Sequence, residues 1–461
     1  MDVPDIPPIV LDRDGAAPLG VQLAAALRSA AASGVLRAGD RLPSTRSLAA
    51  TLGLSRTVTA AAYEQLLAEG WVTGRTGSGT FVTAVPAVTA PAAGPPPTVP
   101  APVSAALIDL RPGTPCVEVL DRSAWRRAWR AAADAVPDAE PRPEGLPEFG
   151  AAVVEHLLRH RGLPARPAEV LGTAGSTAAI AELARTLPRG ARVAVEEPGY
   201  RRAARALAEA GLEIVPARVD ARGLVVDALP AGTAAVYCTP AHQFPLGGRL
   251  PAARRMALVE RARAEGFLII EDDYDGELRY DVAPLPLLAA LGPDVVVHLG
   301  TASKLLTPTL GTGWLVGPPA VRAAVLDHRD RTGSRPSPAG QRVFAAIAAH
   351  GDLARHLRRL RRELAGRRTA VAAAIGAVGH AVTGDAAGAH VVVPLVDAAA
   401  ERAVIAAAAD RGIALDGLAR HHGWDHPRVA GLVLGYAGPG RADLARALPV
   451  VADVLAAHPP R

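Results

Sequence analysis

Between Ala84 and Ala106 the chain reads AVPAVTAPAAGPPPTVPAPVSAA, with seven prolines and no charged residue. The stretch has neither a helical nor a strand period, so it reads as a semi-extended linker. No single core can run through such a segment. The chain must therefore fold as two units, a small one of roughly 80 residues before it and a large one of roughly 350 after it. We set the boundaries at residues 15–83, 84–107 and 108–461.

The small unit reads as three helices and a hairpin. Pro18 to Ala32 carries Leu19, Leu23 and Leu27 on one stripe, and Ser33-Gly34 stops it. The turn GVLRAGDRLPS leads to a second helix that Ser44 can cap, with Leu48 and Leu52 inward. Ser55 opens a third helix, running to Glu69, with Val58, Ala62 and Leu66 on its inner stripe. WVTGRTGSGTFV then alternates as a hairpin with a glycine-rich tip. Two short helices across a tight turn followed by a hairpin form a winged helix-turn-helix, whose second helix enters the major groove of duplex DNA by its N-terminal end. That end offers Ser55, Arg56, Thr57 and Thr59; Arg46 projects from the preceding helix and Arg75 from the wing. From Gly15 to Thr83 six arginines face three acids, a surplus suited to phosphates. On charge alone, a helical module for protein contacts fits equally well.

The motifs G-D-x-L-P-S-x-R, L-x-L-S-R and G-S-G-T-F-V separate the two readings. Over its whole length this segment resembles the DNA-binding domain of the GntR family. The resemblance implies that Arg41, Ser44, Arg46, Ser55, Arg56, Thr57, Arg75 and Gly77 lie at DNA-facing positions.

In the large unit, apolar β-rich runs alternate with helical stretches, the pattern of an α/β domain with a mainly parallel sheet. Four runs end in polar clusters: ARVAVEEPGY, AAVYCTPAHQFP, GFLIIEDDYDGEL and VVVHLGTASKLL. Ligands of open α/β sheets sit beyond the carboxyl ends of the strands, so the four clusters describe one composite site. Composition adds a pointer. Of 50 basic residues one is lysine, Lys304, in the last of these clusters. Arginine can replace lysine wherever only charge is needed, but a guanidinium cannot supply a deprotonable amine.

A lone lysine in a Gly-Thr-x-Ser-Lys loop suits a Schiff base with an aldehyde, the way pyridoxal phosphate is held. Strand alternation puts Asp272 and Tyr274 on one face and Asp273 on the other. That assigns Asp272 to the ring nitrogen and Tyr274 to the 3-hydroxyl, with Tyr200 able to stack on the ring. Gly175, Ser176 and Thr177 open a helix, expected to reach Leu187, whose free N–H groups suit a phosphate; Thr301 or Ser303 could add a hydroxyl. No cluster with metal-ligand spacing stands out.

Taken in order, EEPGY, TPAHQFPLGG, IEDDYDGELRY, GTASKLLTP and AGAHVVVPL resemble fold-type I aminotransferases over most of Ile108 to His458. T-P-x-H-Q-F-P is closer to the MocR subfamily of transcriptional regulators, which joins a GntR-like domain by a long linker to an aminotransferase-like one. The likeness implies a head-to-tail homodimer that binds pyridoxal phosphate, with His242 and Gln243 also at the cofactor. It further implies a double-stranded DNA operator and an effector that is an amino compound or the cofactor itself. Regulated genes would serve vitamin B6 synthesis or the use of amino compounds.

Two positions depart from the pattern. Gly311 stands where the family carries an arginine seven residues after the lysine, with Arg249 a candidate substitute. LVLGY offers Val433 where aminotransferases bind the substrate carboxylate by arginine, leaving Arg202 and Arg428 as possible carboxylate partners. Three functions are then open: a regulator that uses the large unit as its sensor, a working transaminase with an accessory DNA-binding domain, and a cofactor-free scaffold for dimerisation. Both departures favour the regulator. Two cysteines, no run of about 18 apolar residues and no basic-then-apolar leader fit a cytoplasmic protein without a membrane span.

Overall fold

The computed structural model describes residues 9–75, 78–83, 107–140, 142–281, 286–423 and 429–458. The chain divides into two compact units, Met1–Val103 and Ser104–Arg461. Residues 84–106 of the expected linker, Gly77 and Arg428 lie outside the described residues.

The first unit contains α1 (Leu19–Ala32), β1 (Arg41–Leu42), α2 (Thr45–Leu52), α3 (Arg56–Ala68), β2 (Val72–Arg75) and β3 (Gly79–Val82). Local chemistry sets the helix ends. Ser44 Oγ accepts from the Ser47 N–H at 3.1 Å and Ser55 Oγ from the Val58 N–H at 3.3 Å, each satisfying a donor the helix cannot. Gly53 closes α2 at φ +59°, a left-handed conformation natural to glycine. Leu23, Leu27, Leu48, Ala62, Leu66, Val72 and Val82 form the core.

Two details differ from the sequence expectation. Arg41–Leu42, read as part of a turn, pairs antiparallel with β3, so the wing is a three-stranded sheet in the order β1-β3-β2. Thr59, read as DNA-facing, is fully buried. Its hydroxyl donates to the carbonyls of Thr45 and Arg56, both at 3.0 Å, and so fastens α3 to α2. The inner stripe of α3 is Thr59, Ala62, Tyr63 and Leu66, with Val58 only half-buried.

The second unit is built on an eight-stranded sheet. Its strands follow the short β4 (Ile108–Asp109) and are β5 (Val170–Thr173), β6 (Arg192–Glu197), β7 (Glu213–Asp220), β8 (Gly223–Leu224), β9 (Ala235–Cys238), β10 (Leu268–Asp273), β11 (Val296–Thr301) and β12 (Gly313–Val316). The order β5-β12-β11-β10-β9-β6-β7-β8 is parallel except at β12 and β8. Helices cover both faces, which explains the continuous apolar runs. Ala194, Val236, Ile269 and Val296 enter one core, while Val193, Val195, Tyr237, Ile270 and Val297 enter the other. β13 (His390–Pro394) pairs with β15 (Gly431–Gly435), and β14 (Ile413–Ala414) with β4. No described helix is long and apolar enough to cross a membrane.

Candidate functional site

The carboxyl ends of β6, β9, β10 and β11 and the loop after β5 deliver the polar clusters to one edge of the sheet. Alternation along β10 sends Asp272 and Asp273 to opposite faces, and each meets a different environment. Asp273 takes two hydrogen bonds, at 2.6 and 2.8 Å, from Arg161, which is itself fully buried. Asp272 receives only the Tyr237 hydroxyl on Oδ2, at 2.7 Å, and its Oδ1 is buried without a hydrogen-bond partner. The Ser176 hydroxyl is near enough to favour the carboxylate slightly without completing a bond to Oδ1. Burial dominates and pushes the carboxyl up to about 6.

Lys304 lies in the turn after β11, and its Nζ donates to the Gly113 carbonyl. Burial lowers the ammonium's pKa. The carboxylates of Asp275 and Asp272 oppose that shift, and the Arg202 guanidinium adds to it. A lysine held in this way loses its proton more easily and becomes a better nucleophile. Arg202 itself is exposed, on the helix Arg201–Glu209.

The helix after β5 is Ser176–Ala184, three residues shorter at its end than expected. Its N-cap is Gly175 at φ +122°, so no side chain caps it and its first N–H groups remain available to an anion. A Cβ on Gly175 would lie 3.7 Å from Thr301 Oγ1, which donates to Ser303 Oγ at 3.0 Å. The two hydroxyls therefore adjoin that helix start. Thr177 Oγ1 and the Tyr200 hydroxyl are 3.2 Å apart, and the Tyr200 ring meets Phe244 edge-on at 5.9 Å.

The His242–Gln243 segment is buried. The Gln243 amide nitrogen donates to Glu196 Oε2, the Pro198 carbonyl and the Phe244 carbonyl, and its oxygen accepts from Leu246, so it braces the loop. His242 Nδ1 is 2.9 Å from Asp275 Oδ2 and 3.1 Å from the Tyr274 hydroxyl. The sequence reading missed Tyr237, Asp275, Gly113 and His390. Asp275 was visible in the DDYD run, and His390 in AGAHVVVPL.

The two positions that depart from the aminotransferase pattern have local explanations. Gly311 sits at φ +54° with open space around a would-be Cβ. Val433 packs into a small apolar cluster with Val392 and Leu418. Arg249 is paired with Asp281 and Asp385 at 3.8 and 3.3 Å. In the first unit, Arg41, Ser44, Arg46, Ser55, Arg56, Thr57 and Arg75 are all exposed, and the Arg75 guanidinium lies 5.1 Å over the Phe81 ring.

Comparison with known proteins matches residues 19–82 to the bacterial regulatory proteins of the gntR family, and residues 110–420 to aminotransferase class I and II. The chain is 36% identical over 369 residues to the HTH-type pyridoxine biosynthesis transcriptional regulator PdxR of Corynebacterium glutamicum, covering 80% of this chain and 81% of that one. It is 32% identical over 455 residues to the probable rhizopine catabolism regulatory protein MocR of Rhizobium meliloti, covering 93% and 92%. The chain belongs to the MocR subfamily. This MocR-subfamily protein shares the fold of solved aminotransferases. An archaeal alanine:glyoxylate aminotransferase superposes with a TM-score of 0.71 at 22% identity, over 76% of this chain and 91% of that one. The kynurenine aminotransferase of Pyrococcus horikoshii gives 0.69 at 23% identity, again over 76% and 91%.

Proposed function

We propose that this protein is a pyridoxal-phosphate-dependent regulator that binds an operator through its first unit and senses the cofactor or an amino compound through its second. The observation that carries the reading is the pairing, at one sheet edge, of the chain's single lysine with a buried carboxylate whose Oδ1 lacks a partner. A buried polar atom left unsatisfied costs about 1–3 kcal/mol, and a protonated pyridine nitrogen would relieve it. Bound pyridoxal phosphate supplies an aldehyde that condenses with primary amines and a ring that withdraws electrons.

This chain's residues divide the work. Lys304 would be the covalent anchor, and Asp272 Oδ1 would hold the proton at the ring nitrogen. Tyr274 would serve the 3-oxygen and Tyr200 the ring. The open N–H groups at Ser176 and Thr177, with Thr301 and Ser303, would take the phosphate. Arg202 would take the carboxylate of an arriving amino compound, whose amine would compete with Lys304. Gly311 removes one phosphate contact, worth about 1.5–3 kcal/mol if charge-assisted, and favours a sensor over an efficient transaminase. A head-to-tail homodimer in the cytoplasm, controlling genes of vitamin B6 or amino-compound metabolism, completes the reading; the name of the Corynebacterium relative supports the former.

The test is fluorescence anisotropy of duplex fragments from the protein's own promoter region, titrated with the full chain. Pyridoxal phosphate or a panel of amines should change the affinity several-fold in the wild type, and not in Lys304→Ala. Affinity that no such compound alters would refute the sensing role.

A further inference from the structure

A second set of groups lies on the loops after β9 and β10, against β13. His242 and Asp275 are each only 2% exposed, with Nδ1 and Oδ2 2.9 Å apart. The Tyr274 hydroxyl stands 3.1 Å from the same Nδ1 and 3.0 Å from the His242 carbonyl. The proton placement follows from what each group can do. An ionised carboxylate can only accept, so Nδ1 carries the proton and points it at Asp275, the nearer oxygen. The phenol oxygen then accepts from the same N–H, and its own proton goes to the His242 carbonyl, which is also only an acceptor. One histidine thus holds the phenol by two contacts, and Asp275 decides which tautomer that histidine adopts.

Other groups close the arrangement. The His390 ring lies 4.9 Å from His242 and presents Nε2 to the Pro245 carbonyl at 3.0 Å, so its Nε2 carries the proton and its ring is neutral. Burial holds His390 well below the ordinary histidine range, with the neighbouring His242, His421 and Lys304 acting in the same direction. Arg279 reaches the Ala241 carbonyl at 3.4 Å. A Cβ at Gly388, which has φ +70°, would fall 2.1 Å from His242 Cε1 and 2.7 Å from Asp275 Oδ2, so the glycine of AGAH lets β13 approach the pair.

We infer that Asp275 is a positioning residue: it holds His242 as the Nδ1–H tautomer and through it fixes the Tyr274 hydroxyl that faces the cofactor. The inference rests on the proposed cofactor site for its consequence, but the tautomer itself does not require bound cofactor. Removing the Asp275 charge weakens the hold on Tyr274 and takes a carboxylate away from Lys304. Losing the carboxylate disfavours a cationic nitrogen at Lys304, whereas a phenol held less firmly at the 3-oxygen competes less for that oxygen's charge and favours it, so the two effects oppose each other in the pH midpoint of the bound cofactor's visible absorbance.

Two measurements on the full chain test this. Long-range proton–nitrogen correlation spectra of histidine-labelled protein should show His242 protonated at Nδ1 in the wild type and mixed between Nδ1 and Nε2 in Asp275→Asn; the same tautomer in both overturns the inference. With pyridoxal phosphate added, the absorbance midpoint is compared between wild type, Asp275→Asn, His242→Asn and the double variant. In a His242→Asn background Asp275→Asn should move the midpoint further down than it does alone, by roughly half a pH unit or more, whereas an equal shift means Asp275 acts only through space and overturns the relay. A wild type that gains no visible absorbance would refute the proposed cofactor, and the tautomer spectra would still decide the inference.

Discussion

The two units use the same residue for opposite purposes. In the first, Arg46 and Arg56 stand exposed in the first turns of α2 and α3, their guanidinium groups with no hydrogen bond or ion pair among the described residues. In the second, Arg161, Arg329 and Arg367 are buried, and each is tied to a carboxylate: Asp273, Glu182 and Glu118 respectively. An arginine left exposed and unpaired is free to meet a phosphate or a base edge, whereas one locked in a core holds the scaffold on which a site is set. Between these extremes sit the only lysine, half-buried, and the unsatisfied, buried Asp272, groups whose charges nothing fully balances. Charges that are shielded from water and incompletely matched mark a binding site more often than a stabilising one.

Breaking a core pair should have the largest effect. Arg161→Met leaves Asp273 buried without its partner and should cost about 3–5 kcal/mol in denaturant unfolding. A loss below about 1 kcal/mol would mean that Asp273 is not held as an ion. The unbalanced Asp272 should behave in the opposite sense. Its folded pKa of about 6 lies above the roughly 3.9 of an unfolded aspartate, so between those values the folded state binds more protons. Stability of cofactor-free protein should therefore fall as pH rises from about 4 to about 6, by up to ~3 kcal/mol from this group. Asp272→Asn should flatten that part of the profile while removing cofactor binding. An unchanged slope would contradict the assignment.

The exposed arginines should show the converse pattern. Arg46→Ala and Arg56→Ala should each weaken operator binding by about 1–3 kcal/mol if they read a base. A phosphate contact would instead lower the salt slope by about one. Melting temperature should hardly move in either case. Undiminished binding would remove these residues from the interface. Thr59→Val is the smallest test: it deletes the hydroxyl bridging α2 and α3 and should cost about 1 kcal/mol of stability without altering the salt slope.

The sequence already displayed what depends on neighbours in the chain. Ser44, Ser55 and Gly53 act within three or four residues, so the helices of the reader were legible from spacing. The strand ends were legible because apolar runs stop where the sheet edge begins. Lys304 stood out because the chain has no other lysine. The partners that meet across long separations were not legible. Asp275 lies 33 residues from His242, Tyr237 lies 35 from Asp272, and Arg161 lies 112 from Asp273. No local period encodes those contacts. β1 escaped notice because two residues carry no alternation, and only its pairing with β3 makes it a strand. Thr59 misled because threonine at a helix start suits a solvent-facing donor, whereas the crossing of α2 and α3 turns it inward.

The most direct test of the central claim uses the composition itself. The full chain is incubated with pyridoxal phosphate, reduced with borohydride and mapped by peptide mass. The account predicts one pyridoxyl adduct, on Lys304, with only the terminal amine as competitor. It also predicts that Lys304→Ala loses the adduct and keeps operator binding. No adduct on the wild-type peptide containing Lys304, or equal labelling of Lys304→Ala, would contradict it.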